Sequence, residues 1–199
     1  MLRARLIPVL LLKNGLLVRS EAFRIHQIIG NPIYEVKRFN DWNVDELIYL
    51  DITREGEYDT RREDHKTKSL SSPLEILEEV AKTCFMPLAW GGKIRTFDQA
   101  KEILSKGADK ITLNTGALQN PGLISQIAKS FGSQAVVVSI DVLTQPNGEQ
   151  EVYAEGGTLG TGQSPCDWAK QAQDAGAGEI LLQSINRDGS GEGYDVGLI

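Results

Sequence analysis

The chain has 199 residues, and its 41% hydrophobic and 24% charged side chains are typical of a folded protein rather than a disordered one. Its formal net charge is −6, which argues against a nucleic-acid-binding surface. Apolar runs such as residues 9–12 are far too short to span a bilayer, so no membrane segment is expected. These properties favour one compact domain that binds small molecules or other proteins.

Two cysteines and two histidines are present, and neither pair has the spacing of a metal site. Cys84 and Cys166 are too few and too far apart for a disulfide framework, and the histidines are His26 and His65. We therefore expect no metal, no cofactor and a cytoplasmic location.

Short apolar runs alternate with longer amphipathic segments along the whole chain. Strands are predicted over residues 6–12, 46–52, 86–90, 110–114, 135–142 and 179–185, and helices over 32–40, 73–83, 96–106, 121–130 and 165–175. Four of these helices begin with proline, which favours a first helical turn, and Gly107 and Gly176 are suited to left-handed helix ends. The alternation predicts repeated βα units around a parallel sheet.

Two longer segments interrupt this alternation. Residues 54–72 are highly charged, and residues 144–162 are rich in glycine. Loops of this length in a compact domain are usually functional or mobile. In the second segment, Asn147-Gly148 predicts a hairpin with a type I′ turn between Val142 and Val152.

The sequence also contains an internal repeat. Residues 45–56 align with residues 178–189 at an offset of 133, with Glu46 matching Glu179 and Arg54 matching Arg187. Two halves of four βα units each would give eight units, the number that closes a barrel. The chain supplies six predicted strands, so we expect a barrel truncated after the sixth strand.

These motifs resemble the cyclase subunit of imidazole glycerol phosphate synthase over residues 1–199. The segments that carry the resemblance are Asp45-Glu46-Leu47, Leu50-Asp51-Ile52-Thr53, Gly107-Ala108-Asp109-Lys110, Asn114-Thr115, residues 131–138, Asp141, residues 176–182 and Arg187-Asp188-Gly189. The resemblance implies a (βα)8 TIM barrel forming one domain over residues 1–199. Residues 6–12 and 84–89 look closer to a paralogous branch that modifies surface-polysaccharide sugars with acetamidino groups.

Members of this family receive ammonia from a glutaminase partner, which docks at the N-terminal face of the barrel. The resemblance implies an ammonia gate at four charged positions, which are Arg5, Glu46, Lys110 and Glu179. Three of them stand at the start of predicted strands, where side chains from alternate strands share a layer. The alternative is that they are ordinary solvated residues at strand starts.

Two aspartates at the ends of predicted strands are the catalytic candidates. The resemblance implies that Asp141 is a general acid and base, whereas the alternative is a turn or helix-cap aspartate. Asp51 is the second candidate, with a purely stabilising role as its alternative. The family's other catalytic aspartate is replaced by Leu11, which cannot transfer protons. This replacement argues against imidazole-ring formation and for a different ammonia acceptor.

The positions that match the family's ligand loops suggest a phosphorylated or nucleotide-linked sugar as the substrate. They are Gly91, Gly92, Asn114, Thr115, Ser184, Asp188 and Gly189. Lys93 stands where the family usually has a third glycine, so the backbone can approach a ligand less closely there. The two adjacent glycines at 91 and 92 are equally consistent with a tight strand-to-helix turn.

Three functions remain open from the sequence. The first is the synthase subunit of a glutamine-dependent amidotransferase that converts an acetamido sugar to an acetamidino sugar. The second is the cyclase of histidine biosynthesis, with Leu11 tolerated. The third is a non-catalytic scaffold that docks a glutaminase.

Overall fold

The computed structural model describes residues 4–54, 58 and 70–199. The strands in these ranges are β1 (Val9–Lys13), β2 (Leu16–Glu21), β3 (Ile25–Gly30), β4 (Leu47–Asp51), β5 (Leu88–Gly91), β6 (Lys110–Leu113), β7 (Val136–Thr144), β8 (Gln150–Ala154), β9 (Leu159–Gly160) and β10 (Glu179–Ser184). The helices are α1 (Pro32–Asp41), α2 (Pro73–Ala81), α3 (Phe97–Ser105), α4 (Thr115–Gln119), α5 (Gly122–Phe131) and α6 (Pro165–Ala175). Most of the charged segment 54–72 lies outside the described residues.

The chain divides into two compact units. The first comprises Met1–Arg19, Gln27–Gly92 and Lys101–Ile111, and the second comprises Ser20–His26, Lys93–Ala100 and Thr112–Ile199. In the first unit, β1 lies parallel to β4, and β4 lies parallel to β5. In the second, β10 lies parallel to β7. Parallel strands that alternate with helices confirm the predicted α/β fold, which fits six of the eight βα units of a (βα)8 barrel.

A hairpin that the sequence analysis missed follows β1. Lys13 pairs with Leu16, and the two residues between them, Asn14 and Gly15, have φ angles of 52° and 86°. Positive φ at both central positions is the signature of a type I′ turn, for which Asn-Gly is the preferred sequence. The turn therefore reverses the chain into β2, which lies antiparallel to β1.

The core of the first unit is built around two aromatic side chains. Tyr49 of β4 stacks on Trp90 of β5 with ring centroids 5.6 Å apart, and both rings are buried. The Tyr49 hydroxyl donates to the carbonyl of Pro32 at 2.7 Å, which ties β4 to the start of α1. Burial raises the pKa of this hydroxyl well above its ordinary value. The aromatic pair therefore fixes β4, which directly follows Glu46, and β5, which ends at Gly91.

Three of the four helices predicted to begin with proline do so. α1, α2 and α6 have proline in the first helical turn, preceded by the capping residues Asn31, Ser72 and Ser164. Pro121 differs, because it is the residue before α5, which begins at Gly122. Gly107 and Gly176 have φ angles of 112° and 107°, which confirms them as left-handed residues after helices.

The glycine-rich segment in the second unit forms a hairpin whose turn differs from the prediction. Val142 of β7 pairs with Val152 of β8 as expected. However, the turn closes from the N–H of Gly148 to the carbonyl of Gln145, so Pro146 and Asn147 are its central residues. The proline ring holds φ near −65°, which excludes a type I′ turn. Only Gly148, with a φ of 87°, takes the left-handed conformation.

Within the described ranges, no helix is both long and apolar enough to cross a membrane.

Candidate functional site

Asp141 is a buried carboxyl group near the end of β7. Its side chain is 5% exposed, and it lies opposite Gln183 of β10 in the parallel register. Its Oδ1 accepts hydrogen bonds from the Ser139 hydroxyl at 3.2 Å and from the Gln183 amide at 2.9 Å. The amide nitrogen of Gln183 also lies 2.9 Å from the Ser139 hydroxyl. Three side chains from two strands therefore form one hydrogen-bonded cluster.

Burial raises the pKa of Asp141 from 3.8 to about 7. Hydrogen bonds from Ser139, Gln183 and Asn114 lower the pKa, whereas the charge of Asp188 raises it. Desolvation prevails because the donors are neutral groups that compensate the charge only in part. A carboxyl group with a pKa near neutrality can both accept and donate a proton, as a general acid and base requires.

Asn114 and Thr115 lie at the junction of β6 and α4, beside this cluster. The Asn114 amide donates to the backbone carbonyl of Ser139 at 3.1 Å. The Thr115 hydroxyl donates to the Asn114 side chain and accepts from the N–H of Glu155. The structure thus brings Asn114 and Thr115 close to Asp141. Their observed hydrogen bonds link β6 to β7 and to the residues after β8, which is a structural role.

The ligand-loop candidates at the end of β10 and after it also contact other parts of the second unit. The Ser184 hydroxyl donates to Asp195 at 2.9 Å. The Asp188 carboxylate accepts from the Ser20 hydroxyl at 2.6 Å and from the N–H of Phe23 at 2.9 Å. A Cβ at Gly189 would overlap the carbonyl oxygen of Ser20, so only glycine fits this approach. Asp188 and Gly189 therefore anchor the turn between β2 and β3.

Asp51 lies at the end of β4 in the first unit and is also buried. Its Oδ1 accepts from the N–H of Thr53 at 3.0 Å, and its Oδ2 accepts from the hydroxyl of Tyr58 at 2.7 Å. These contacts are those expected of a carboxylate that stabilises the loop after its own strand. The stabilising alternative thus has direct support, while the catalytic role of Asp51 stays a prediction.

Gly91 ends β5, and Gly92 packs directly against Asp51. With a φ of 111°, Gly92 is in the left-handed region, and a Cβ there would lie 2.8 Å from the Cβ of Asp51. Lys93, which begins the segment Lys93–Ala100 of the second unit, has a φ of 57°, a conformation that costs a non-glycine residue roughly 1 kcal/mol. Backbone geometry therefore explains why glycine stands at position 92. It also explains why a glycine at position 93, which the resemblance implies, would adopt this φ angle with less strain than lysine.

Leu11 lies in the middle of β1, at the position where the resemblance implies a second catalytic aspartate. It pairs with Leu50 of β4 on one side and with Val18 of β2 on the other. This apolar setting contributes no group that could transfer a proton.

Three of the four gate candidates meet in the first unit. Glu46 is 1% exposed, and its Oε2 lies 3.1 Å from an Arg5 nitrogen and 2.7 Å from the Lys110 ammonium. The other oxygen, Oε1, is buried without a hydrogen-bond partner among the described residues. The two cations offset the free-energy cost of burying the Glu46 carboxylate. A solvated residue at a strand start would not need such partners.

Glu179, the fourth gate candidate, begins β10 in the second unit, opposite Val137 of β7. Its place at a strand start matches the prediction, as do those of Lys110 at the start of β6 and Glu46 just before β4.

Gln183 and Ser139 were not singled out from the sequence. Ser139 could have been found, because residues two apart on a strand share a face and Asp141 follows at that spacing. Gln183 could not be found in this way, because its place beside Asp141 depends on the register between β7 and β10, which sequence periodicity does not predict.

The family model described as "Histidine biosynthesis protein" matches residues 5–199. The chain is 42% identical over 199 residues to a Pseudomonas aeruginosa protein named as imidazole glycerol phosphate synthase subunit hisF2, covering 100% of the chain and 75% of that protein. It is 41% identical over 199 residues to the imidazole glycerol phosphate synthase subunit HisF of Pyrococcus furiosus, covering 100% of the chain and 74% of the relative.

A third relative is the HisF subunit of Gluconacetobacter diazotrophicus, which is 38% identical over 199 residues, covering 100% of the chain and 73% of the relative. The match extends through both compact units and includes Asp141 and Glu46. The chain therefore belongs to the histidine biosynthesis protein family, among enzymes of the imidazole glycerol phosphate synthase subunit HisF type.

Proposed function

We propose that the chain is the synthase subunit of a glutamine-dependent amidotransferase whose ammonia acceptor is an acetamido group on a phosphorylated or nucleotide-linked sugar. The observation that carries this proposal is an apolar Leu11 where the resemblance implies a second catalytic aspartate, in a chain that retains the buried carboxyl group of Asp141. The product would be an acetamidino sugar, used in surface polysaccharide such as O-antigen. The reaction belongs to the cytoplasm, where activated sugars are made.

The chemistry requires one group that can take up and release a proton. Ammonia attacks the amide carbon after another protein has activated the amide oxygen by transfer of a phosphoryl group from a nucleoside triphosphate. The new C–N bond leaves a proton on nitrogen, and expulsion of the phosphorylated oxygen completes the amidine. Asp141 accepts the proton from the attacking nitrogen, and its pKa near neutrality allows it to pass that proton to the departing phosphate or to water before the next turnover.

Ammonia is proposed to enter at the amino ends of the strands in the first unit. Arg5, Glu46 and Lys110 meet there, and Glu179 stands at the start of a strand in the second unit. The unpartnered Oε1 of Glu46 offers an acceptor to an incoming N–H group. This arrangement supports gating by the charged cluster.

The glutaminase is proposed to dock at this same end of the strands. Three large apolar side chains are exposed on the segments that lead into β1, β4 and β5. They are Leu6, Trp42 and Phe85, and Phe85 is 88% exposed. Asn40 holds two of these segments together, because its amide contacts the carbonyl of Thr83 and the N–H of Phe85. Exposed apolar groups around a charged centre are typical of a protein-binding surface.

The experiment that tests the proposal supplies ammonium chloride in place of the glutaminase. The chain, an activating partner and a nucleotide-linked acetamido sugar are incubated, and the acetamidino product is detected by its mass difference of about one dalton. Asp141→Asn is expected to lower the rate by about a hundredfold or more, because general acid and base catalysis contributes that much. Turnover that is unchanged in this variant would favour the non-catalytic scaffold instead.

A second candidate function is the cyclase of histidine biosynthesis, favoured by the relatives that are named as imidazole glycerol phosphate synthase subunits. The proposal predicts that the gene fails to rescue a strain that lacks this cyclase. Growth of that strain without histidine would establish the second candidate.

A further inference from the structure

Gln183 holds the Asp141 carboxyl group in a closed ring of hydrogen bonds. The amide nitrogen of Gln183 lies 2.9 Å from Asp141 Oδ1 and 2.9 Å from the Ser139 hydroxyl oxygen. The Ser139 hydroxyl lies 3.2 Å from the same Asp141 oxygen. All three side chains are brought together by the pairing of β7 with β10, in which Gln183 stands opposite Asp141.

The direction of each bond in this ring follows from the donors available. An ionised carboxylate only accepts hydrogen bonds, and an amide nitrogen carries two hydrogens. One hydrogen of Gln183 therefore goes to Asp141 and the other to the Ser139 oxygen. The hydroxyl proton of Ser139 is then directed to Asp141, so both donors converge on Oδ1.

A glutamine amide can also serve the protonated form of the carboxyl group. When Asp141 carries a proton, rotation of the Gln183 amide by half a turn presents its oxygen as an acceptor, and the Ser139 hydroxyl can likewise accept. A cationic side chain at position 183 would stabilise only the ionised form. Gln183 thus suits a group that must remain in place while its proton is lost and regained.

The other groups near Asp141 do not both donate to and accept from its carboxyl group. Asn114 is a neutral donor, and Asp188 acts through its negative charge. Tyr153 of β8 lies opposite Asp141 in the antiparallel register, and its hydroxyl accepts from the Gln145 amide at 3.1 Å.

We propose that Gln183 is a positioning residue that keeps the Asp141 carboxyl group in one orientation, can hydrogen-bond to it in both protonation states, and stabilises the ionised state more than the protonated one. The assignment rests on the proposed role of Asp141 as general acid and base. The new element is that proton exchange at Asp141 depends on the side chain of Gln183.

The test measures the titration of Asp141 directly and needs no substrate. The chain is labelled with 13C at the aspartate carboxyl carbons, and the Asp141 signal is identified by its loss in Asp141→Asn. In Gln183→Met the side chain keeps its length but loses the donor, so the pKa of Asp141 is expected to rise by about one unit, a tenfold change in its ionised to protonated ratio. Gln173→Met, on the exposed surface of α6, is the matched control and is expected to leave the titration in place.

A second variant keeps the shape of position 183 but replaces the amide donor with a second titrating group. Gln183→Glu places two carboxyl groups in contact, and such a pair titrates in two separate steps. An Asp141 titration that is unchanged in both variants would overturn the proposal. If the titration moves as expected, the pH at which kcat for amidotransfer changes is expected to move with it, while KM changes little.

The outcome for the proposed function stays separate from this result. Loss of activity in Asp141→Asn depends on the catalytic role of Asp141, whereas the titration depends only on its contact with Gln183. A shifted titration with full activity in Asp141→Asn would retain the contact but overturn Gln183 as a positioning residue in catalysis.

Discussion

Replacement of Asp141 by asparagine is expected to make the fold more stable at alkaline pH. Asparagine is nearly isosteric with aspartate and cannot ionise, so it removes the cost of burying a charge. Burial raises the pKa of Asp141 from 3.8 in a solvated chain to about 7 in the folded protein. Between these two values the folded state binds more protons than the unfolded state. The stability of the native protein therefore falls as the pH rises through this window.

The magnitude follows from the difference between the two pKa values. Each pKa unit corresponds to about 1.4 kcal/mol, so a shift of about three units corresponds to about 4 kcal/mol of stability. This contribution is fully present below pH 3.8 and is lost once the pH exceeds about 7. The free energy of unfolding of Asp141→Asn, taken relative to the native protein, is thus expected to increase by about 4 kcal/mol between pH 4 and pH 8.

Urea denaturation followed by circular dichroism at both pH values measures this difference. Asp174→Asn, on the exposed surface of α6, controls for the change in net charge. A stability difference between Asp141→Asn and the native protein that is the same at pH 4 and pH 8 would refute the reasoning. It would mean that Asp141 is as well solvated in the folded chain as in the unfolded one.

Three other substitutions test the remaining parts of the structure. Glu46→Ala removes the carboxylate that contacts Lys110 at 2.7 Å, and is expected to cost about 3 kcal/mol in urea denaturation, with Glu46→Gln less affected. Leu11→Asp adds a carboxyl group to β1 as a second catalytic candidate beside Asp141. This variant should give measurable cyclisation of the histidine-pathway ribonucleotide with ammonium chloride. No gain would show that this position does not limit the reaction. Gly92→Ala is expected to cost about 3 kcal/mol because its Cβ would overlap backbone, whereas Gly148→Ala, also at positive φ but in open space, should cost about 1 kcal/mol.

The alternation of strands and helices could be predicted because each element has its own local signal. Buried strands such as β4 are continuous apolar runs, and α6 begins with proline and ends before Gly176. β2 and β3 were missed although Asn14-Gly15 is a strong hairpin signal. Their sequences are less apolar, and β3 is largely exposed, so periodicity gave little sign of them.

The candidate site was predictable only as far as single positions. Asp141 and Glu46 could be placed because each stands near the end of an apolar run. The partners of these groups depend on strand register, which sets Gln183 opposite Asp141. The contact of Asp188 with Ser20 joins residues 168 apart in the chain, and no local pattern indicates such a pair. Sequence motifs thus indicated candidate groups, whereas the contacts that these groups make required the fold.

The protonation behaviour of Asp141 bears on which reaction the chain performs. Ring closure with two carboxyl groups can assign the acid and the base to separate residues, each with a fixed protonation state. On the proposed function, Leu11 stands in place of one of them, so Asp141 alone would have to serve in both states. The neighbours of Asp141 in the ring, Ser139 and Gln183, can each donate and accept hydrogen bonds, and its pKa lies near neutrality. These properties suit the replacement of an amide oxygen by nitrogen, in which one proton is taken from the incoming group and later released.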